Sequence, residues 1–345
     1  MIVCKFGGSA TASKKAVENI LKLKNNERKI WVFSAIGKEN ITDKKLTDLL
    51  IAYTRKNCNK AKTKQQIKNK FNRLIGFTKV KLNTNKIVDE YCFKFDCDFD
   101  KDYFVSRGEY LTSLIMSKYL NIKFVSAEKL IFLKNNKINY EKTENMLKKY
   151  IIKHKKLIIP GFFACNENIS HKSNVNINSQ TAIQKQQQIQ NNIKLFSRGG
   201  SDFSACLIAK CLGSNSCEIW TDVNGIYPIN PQVCKSKIIK NLSYKDLHTM
   251  TQFDAKVVHK DCAKLLNGCD TQLIVKNILN PNQTGTTVTS FCEKQIKFLV
   301  YKNTKGTTNF VLKFNNNTLS FSTPKNNFKN ALKALKLIKS KFSFW

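Results

Sequence analysis

Met1-Ile2-Val3-Cys4-Lys5-Phe6-Gly7-Gly8-Ser9 reads as a short apolar strand running straight into a glycine turn. A helical stretch follows from Ser13 to Leu23, with Ala16, Val17, Ile20, Leu21 and Leu23 as its apolar positions. A second apolar run comes next, Lys29-Ile30-Trp31-Val32-Phe33-Ser34-Ala35-Ile36. Strand, helix, strand in that order implies a parallel sheet, because parallel neighbours need a crossover that passes back over the sheet face. Further strands are expected at Lys123 to Ser126, Lys156 to Phe163, Ser216 to Thr221 and Thr271 to Val275, with helices at Tyr110 to Leu120 and Phe203 to Leu212. The expectation is an α/β fold with an open, mostly parallel sheet.

Composition narrows the function classes. The 345 residues suit one large domain and a small one, and an apolar fraction of 42% is enough to bury a core. The longest uncharged apolar stretch, Leu157 to Cys165, is interrupted by Pro160 and Gly161 and is too short to span a bilayer, so no membrane role is expected. The opening residues lack the basic segment, apolar run and cleavage site of a secretory signal. The 12 cysteines form no Cys-x-x-Cys pair and only four His accompany them. Neither a metal site nor a disulfide framework is suggested, and a reducing cytoplasm fits.

Charge is the loudest signal: 59 Lys and Arg against 24 Asp and Glu give +35. Such an excess suits a polyanion partner. Yet Lys far outnumbers Arg, is dispersed, and is joined by abundant Asn, Ile and Phe, all residues with A/T-rich codons. No recognition module is visible, so no nucleic-acid partner is expected.

Between Asn166 and Lys194 the chain turns polar, as in Gln184-Lys185-Gln186-Gln187-Gln188, and reads as a mobile insertion spanning about 166–195, or as a weak helix from Gln180 to Gln190. After Ser290 come strand-like Ile296 to Tyr301, Phe310 to Phe314 and Thr318 to Ser322, then an amphipathic helix from Asn326 to Ser340. Residues 1–289 are thus read as the main domain and 290–345 as a small α+β unit.

Three segments carry chemistry. Lys5-Phe6-Gly7-Gly8-Ser9 joins a mobile positive charge to a turn whose N–H groups can approach a phosphate. Phe196-Ser197-Arg198-Gly199-Gly200-Ser201-Asp202 opens a helix whose free N–H groups form an anion site. Ile219-Trp220-Thr221-Asp222-Val223-Asn224-Gly225-Ile226-Tyr227 ends a strand with a hydroxyl, a carboxylate and, after a glycine, an aromatic ring. Plainer readings stand beside these: Asp202 as a helix N-terminal carboxylate, Glu109 as a solvated helix-start charge, Thr47 as a helix cap and Tyr227 as a packed edge residue.

Together these segments resemble aspartate kinases of the amino-acid kinase superfamily, from Ile2 to about Thr287. The match extends through Ser34-Ala35-Ile36-Gly37-Lys38, Leu46-Thr47-Asp48-Leu49-Leu50, Ser106-Arg107-Gly108-Glu109-Tyr110-Leu111, Pro160-Gly161-Phe162, Leu242-Ser243-Tyr244, Ala255-Lys256-Val257-Val258-His259, Asn280-Pro281 and Gly285-Thr286. The resemblance implies a three-layer α-β-α fold and ATP-dependent phosphorylation of the side-chain carboxylate of L-aspartate, the first step toward lysine, threonine and methionine. It implies catalytic roles for Lys5, Asp202 and Lys256, and aspartate contacts from Thr47, Glu109, Arg198 and Ser201. ATP would meet Lys5, Gly7, Gly8, Ser9, Thr221, Asp222, Tyr227, Gln232 and Lys256, with Mg²⁺ carried on its phosphates and no metal held by the protein alone.

Two departures stand out. Where the family reads Asp-Pro-Arg, this chain has Asn230-Pro231-Gln232, which removes a charge-assisted nucleotide contact. The family also carries paired C-terminal ACT modules that bind end products and form dimers, whereas the residues after Ser290 suffice for one incomplete copy. Weak or absent inhibition by lysine or threonine, and a possible homodimer, are the corresponding expectations. A sister kinase for another acid, or a degenerate kinase fold kept as a regulatory amino-acid-binding protein, are the alternatives.

Overall fold

The computed structural model describes residues 1–98, 100–167, 192–197, 199–231, 236–253, 258–292, 297–314 and 317–325. The strands are β1 (Ile2–Phe6), β2 (Arg28–Phe33), β3 (Lys123–Phe124), β4 (Phe132–Lys134), β5 (Lys137–Ile138), β6 (Leu157–Pro160), β7 (Phe163–Asn166), β8 (Ile193–Leu195), β9 (Ser216–Thr221), β10 (Asn241–Ser243), β11 (Gln272–Asn277), β12 (Thr286–Thr289), β13 (Phe298–Asn303), β14 (Thr307–Phe314) and β15 (Asn317–Pro324). The helices are α1 (Lys14–Lys22), α2 (Leu46–Tyr53), α3 (Lys60–Thr78), α4 (Thr84–Asp98), α5 (Lys101–Leu120), α6 (Tyr140–His154), α7 (Gly200–Cys211), α8 (Tyr244–Gln252) and α9 (Lys260–Leu266).

An eight-stranded sheet in the order β10-β12-β11-β9-β1-β2-β6-β3 forms the middle layer, parallel throughout except where β11 meets β12. Side chains alternate across it. Val3, Ile30, Val32, Leu157, Ile159, Cys217 and Ile219 face a core shared with α7, α8 and α9. Cys4, Phe6, Trp31, Phe33, Ile158 and Trp220 face the opposite core, covered by α1 to α5. Phe6 stacks on both Trp31 and Phe33, with ring centroids 5.2 and 4.9 Å apart. Both faces are covered, which is why these strands are apolar runs rather than alternating ones. A second sheet orders β5-β4-β7-β8, and a third, antiparallel one orders β13-β14-β15.

Several boundaries differ from the sequence reading for physical reasons. The run Lys156 to Phe163 divides at Gly161-Phe162, where Phe162 takes a left-handed φ of 79° and redirects the chain from the central sheet into the second one. The second strand ends at Phe33, and the residues after it turn so that the Gly37 N–H reaches the Gly8 carbonyl at 2.8 Å. The helix expected from Tyr110 begins at Lys101, capped by Asp100, whose carboxylate accepts from the Asp102 and Tyr103 N–H groups. Glu109 is therefore inside a helix and buried, not a solvated helix-start charge. Thr47 lies in the first turn of α2, behind Lys45 at the N-cap, and is not the cap. The three tail strands form a sheet of their own, but Phe298, Val300 and Val311 belong to the main core, and the Leu299 N–H donates to the Pro228 carbonyl at 2.8 Å. The stretch 168–191, with its alternative helix, and the helix read from Asn326 to Ser340 lie outside the described residues.

One charged network sits within the sheet. Glu218 on β9 accepts from Arg28 Nε at 2.8 Å and Nη2 at 3.0 Å, from Trp220 Nε1 at 3.0 Å and from the Cys4 thiol at 3.2 Å. Burial pushes the Glu218 carboxyl up, but the Arg28 guanidinium outweighs it and holds the group below the ordinary carboxylate range. Removing one partner leaves a buried charge uncompensated. Arg28→Met is expected to lower stability by about 3–5 kcal/mol in denaturant unfolding, and adding Glu218→Leu is expected to recover much of that loss.

Candidate active site

The carboxyl ends of the parallel strands gather the site. From β1 the chain first builds strands on one side, through β2, and places β9 on the other only later. A sheet that reverses its winding in this way opens a crevice beside β1, where ligands bind in folds of this kind.

Glycine backbones form the floor of that crevice. The Gly7 N–H donates to the Trp220 carbonyl at 2.9 Å, tying the turn after β1 to the end of β9. Gly8 and Gly37 lie back to back, so that a Cβ on Gly8 would stand 2.7 Å from the Ala35 carbonyl oxygen and 2.8 Å from the Gly37 nitrogen. Gly161, after β6, presses against Ser201, whose Cβ would lie 2.6 Å from an added methyl. Ser9 follows in a short 3₁₀ turn, Gly8–Thr11.

Gly199, at φ 88°, starts α7 and sends Asp202 toward β1. Alternation along β1 points Lys5 at the same face as Val3, and its Nζ meets Asp202 Oδ1 at 2.6 Å, with both side chains about nine-tenths buried. The other oxygen, Oδ2, accepts from the His259 N–H at 3.1 Å. His259 Nδ1 accepts from the Asp261 N–H, so its Nε2 is the donor to Ser197 Oγ, 2.9 Å away. His259 thereby fastens both ends of the segment that carries the site's second glycine pair. The sequence reading quoted His259 only as part of a motif; its place just before a short helix was the signal of a cap.

On the opposite face of the sheet, Glu109 is 3% exposed. Burial pushes its carboxyl up to about 8, against the pull of the Ala35 N–H, its own N–H, the Thr47 hydroxyl and the Arg107 charge. Its Oε2 meets no hydrogen-bond partner among the described residues. A buried carboxyl oxygen left in this way is an open hydrogen-bonding position, able to accept from a cationic group once the carboxyl ionises. Arg107 is held apart, between the rings of Tyr103 and Tyr110 at 4.2 and 4.4 Å.

At the end of β9, Thr221 Oγ1 donates to Asp222 Oδ1 at 3.1 Å, with Asp222 exposed. Tyr227 is half-buried beyond Gly225, whose φ of 154° and 2.6 Å approach to Thr286 Oγ1 leave no space for a side chain. The structure thus brings together Lys5 with Asp202, Gly7 with the end of β9, Gly8 with Gly37, and Thr47 with Glu109. Arg198, Gln232 and Lys256 lie outside the described residues. Among the described residues, no group of three His, Cys, Asp or Glu side chains could hold a metal ion.

Residues 1–277 match the family model described as the amino acid kinase family. The chain belongs to that family. Within it, the chain is 27% identical over 237 residues to a bifunctional aspartokinase/homoserine dehydrogenase of Haemophilus influenzae, covering 66% of this chain and 25% of that one. It is 24% identical over 307 residues to an aspartokinase of Rickettsia prowazekii, covering 84% of this chain and 55% of that one. The crystal structure of Clostridium acetobutylicum aspartate kinase superposes with a TM-score of 0.72 at 25% identity, over 88% of this chain and 67% of that one. The chain therefore spans between a quarter and just over half of these two curated relatives, and has the fold of an aspartate kinase.

Glu109 also makes a statement about stability. Its folded pKa of about 8 exceeds the unfolded value of 4.5, so the native state holds the extra proton between those limits and stability falls as pH rises through that window. Unfolding measured at about pH 5 and pH 8.5 is expected to show a steeper loss for the unmutated chain than for Glu109→Gln.

Proposed function

We propose that this chain is an ATP-dependent aspartate kinase, forming 4-phospho-L-aspartate and ADP. The observation that carries the reading is the position of Ala35. Its carbonyl lies against the Gly8 turn, and its N–H faces the Glu109 carboxyl, so one residue adjoins both an anion-binding turn and a buried receptor for an ammonium group. That pairing suits an amino-acid acceptor presented to a nucleotide phosphate. The names of the relatives support the same reaction.

The acceptor needs no general base, since the side-chain carboxylate of aspartate, with a reference pKa near 3.9, is already ionised at neutral pH. One of its oxygens forms a bond to the terminal phosphorus of ATP as the bond to the ADP oxygen breaks. The obstacle is bringing two anions together, and charge neutralisation with positioning overcomes it. Lys5 supplies positive charge beside the glycine turn, and Asp202 orients it. Gly8 and Ser9 offer backbone contacts to phosphate, Gly7 lets it approach closely while its own N–H holds the end of β9, Thr221, Asp222, Tyr227 and Gln232 border the nucleotide, and Lys256 adds a second cation. Mg²⁺ carried on the phosphates would supply further neutralisation, and the turn at Gly7 and Gly8, with no side chains and with Lys5 Nζ beside it, would leave the phosphates open to it. Glu109 takes the α-ammonium, Arg198 the α-carboxylate in a two-pronged contact, and Thr47 and Ser201 give hydroxyl contacts. Residues 1–289 form the catalytic unit and 290–345 an ACT-like unit, and a cytoplasmic homodimer is the form in which we expect it to act.

Hydroxylamine trapping with ATP, Mg²⁺ and aspartate is expected to yield the acyl hydroxamate, with glutamate giving little. A product with glutamate alone would indicate a kinase for another acid, and none with either would indicate a binding protein. Because Glu109 must give up its proton to hold the ammonium, the aspartate KM should fall about tenfold per pH unit between about pH 6 and 7.5. Glu109→Gln should raise that KM and flatten its pH dependence.

Position 232 offers a separate test. A charge-assisted contact contributes about 1–3 kcal/mol, so Gln232→Arg is expected to lower the ATP KM by roughly tenfold to a hundredfold. An unchanged KM would show that this position does not meet the nucleotide.

A further inference from the structure

The loop from Gly37 to Lys45 is clamped from outside the sheet by a residue to which no motif assigns a role. Lys70, on α3, is 6% exposed. Its Nζ donates to the Gly37 carbonyl at 2.6 Å and to Asp43 Oδ2 at 2.5 Å. Asp43 Oδ2 also accepts from the Glu39 N–H at 2.9 Å, and Oδ1 from the Lys44 N–H at 2.8 Å. Burial pushes the Asp43 carboxyl up, but Lys70 and the Glu39 N–H outweigh it and hold the group below the ordinary carboxylate range. Arg73, one turn further along α3, pairs with Glu39 and approaches Asp43 at 4.0 Å.

A buried ammonium is costly to desolvate, and a lysine is retained there when its protons are well placed. Here two of them fix two points of one loop. The first point is the peptide that abuts the phosphate turn: the Gly37 N–H donates to the Gly8 carbonyl, and an added Cβ on Gly37 would lie 2.5 Å from the Gly8 carbonyl carbon. With no side chain between them, a displacement of Gly37 is passed directly to Gly8. The Leu46 N–H separately donates to the Ile36 carbonyl at 3.0 Å, so the base of the loop and the start of α2, which carries Thr47, have a tether of their own.

We propose that Lys70 is a positioning residue for phosphoryl transfer, acting through Gly37 to hold the Gly8 turn in the geometry that receives the nucleotide phosphates. The inference rests on the kinase reading of the Gly8 turn. It assigns to a helix surface far along the chain a share in the alignment of the transferring phosphate, and it separates that alignment from the binding of the amino acid. Positional errors of this kind are felt mainly in turnover, because the reaction depends on near-attack geometry.

The test uses the full chain carrying Lys70→Met, which keeps the length of the stem and removes the donors, with Lys70→Arg and Asp43→Asn alongside. Lys70→Met is expected to lower kcat at least tenfold and to raise the ATP KM, with the aspartate KM within about twofold of the unmutated value. Lys70→Arg, which can restore a donor to Gly37, should recover part of kcat. Asp43→Asn, which leaves the Gly37 contact in place, should lose less than Lys70→Met, and the double variant should be no worse than Lys70→Met. Nucleotide affinity measured by calorimetry without aspartate should weaken in parallel with the rise in ATP KM. Unchanged kcat and ATP KM in folded Lys70→Met, or equal losses for both substrates, would overturn the proposal. If Lys70→Met does not fold, a Lys70→Arg variant that folds with unaltered kinetics while Asp43→Asn loses turnover would overturn it equally. An unmutated chain without kinase activity would instead remove the kinase reading on which the proposal stands.

Discussion

The contact between Lys5 and Asp202 orders the rest of the site. A lysine at the end of a fully covered parallel strand has to find a partner or expel its charge. Period-two alternation along β1 leaves Lys5 facing α7. That helix begins where it does because Gly199 takes a left-handed conformation, and it places Asp202 in its first turn, where the helix dipole favours a carboxylate. The pair joins β1 to α7, and His259 joins α7 to α9. Gly7 and Trp220 close the same circle through β9. Each of these connections brings a different strand end to one crevice.

The other face of the sheet works by a different principle. Glu109 is buried without a full set of partners, and the cost of that arrangement is reduced by keeping the carboxyl protonated. On the proposed reading the two sides are complementary: one holds a paired charge that would meet an anion, and the other an acceptor oxygen without a partner among the described residues that would ionise for a cation. Ala35 lies between them, which makes the end of β2 the junction of the two halves.

Much of this was legible in the sequence where pattern and chemistry coincide. Ser216 to Thr221 was read with the observed bounds and the first strand nearly so, because short apolar-rich runs carrying a single charge each and leading to a glycine turn suit a strand covered on both faces. The glycine pairs and the Lys5, Glu109 and Asp202 positions were visible as motifs. What the sequence hid was context. Glu109 stood just before the helix expected from Tyr110, and so had a helix-start charge as its plainer reading, because the cap of α5, Asp100, stands well upstream of the motif. Pro160 and Gly161 marked an interruption, but the change of sheet there was hidden, since the left-handed Phe162 that makes it is set by tertiary packing rather than by local preference. Helix α3 escaped attention because Lys, Gln and Asn surround its few apolar contacts, Ile67, Phe71 and Leu74, and the buried lysine among them looks like every other lysine in a chain so rich in that residue.

The pairing of β1 with β9 has a consequence for how the chain is made. Cys4 and Glu218 meet across 214 positions of sequence, so β1 must wait for β9 to be made. At ribosomal speeds of about 5–20 residues per second, that interval is roughly 10 to 40 s. During it, β1 and β2 can pair with each other but leave an apolar edge open, and Lys5 has no counterion. The nascent chain is therefore open to association with other chains over this interval, until the segment from α7 to β9 covers the edge and neutralises the lysine together.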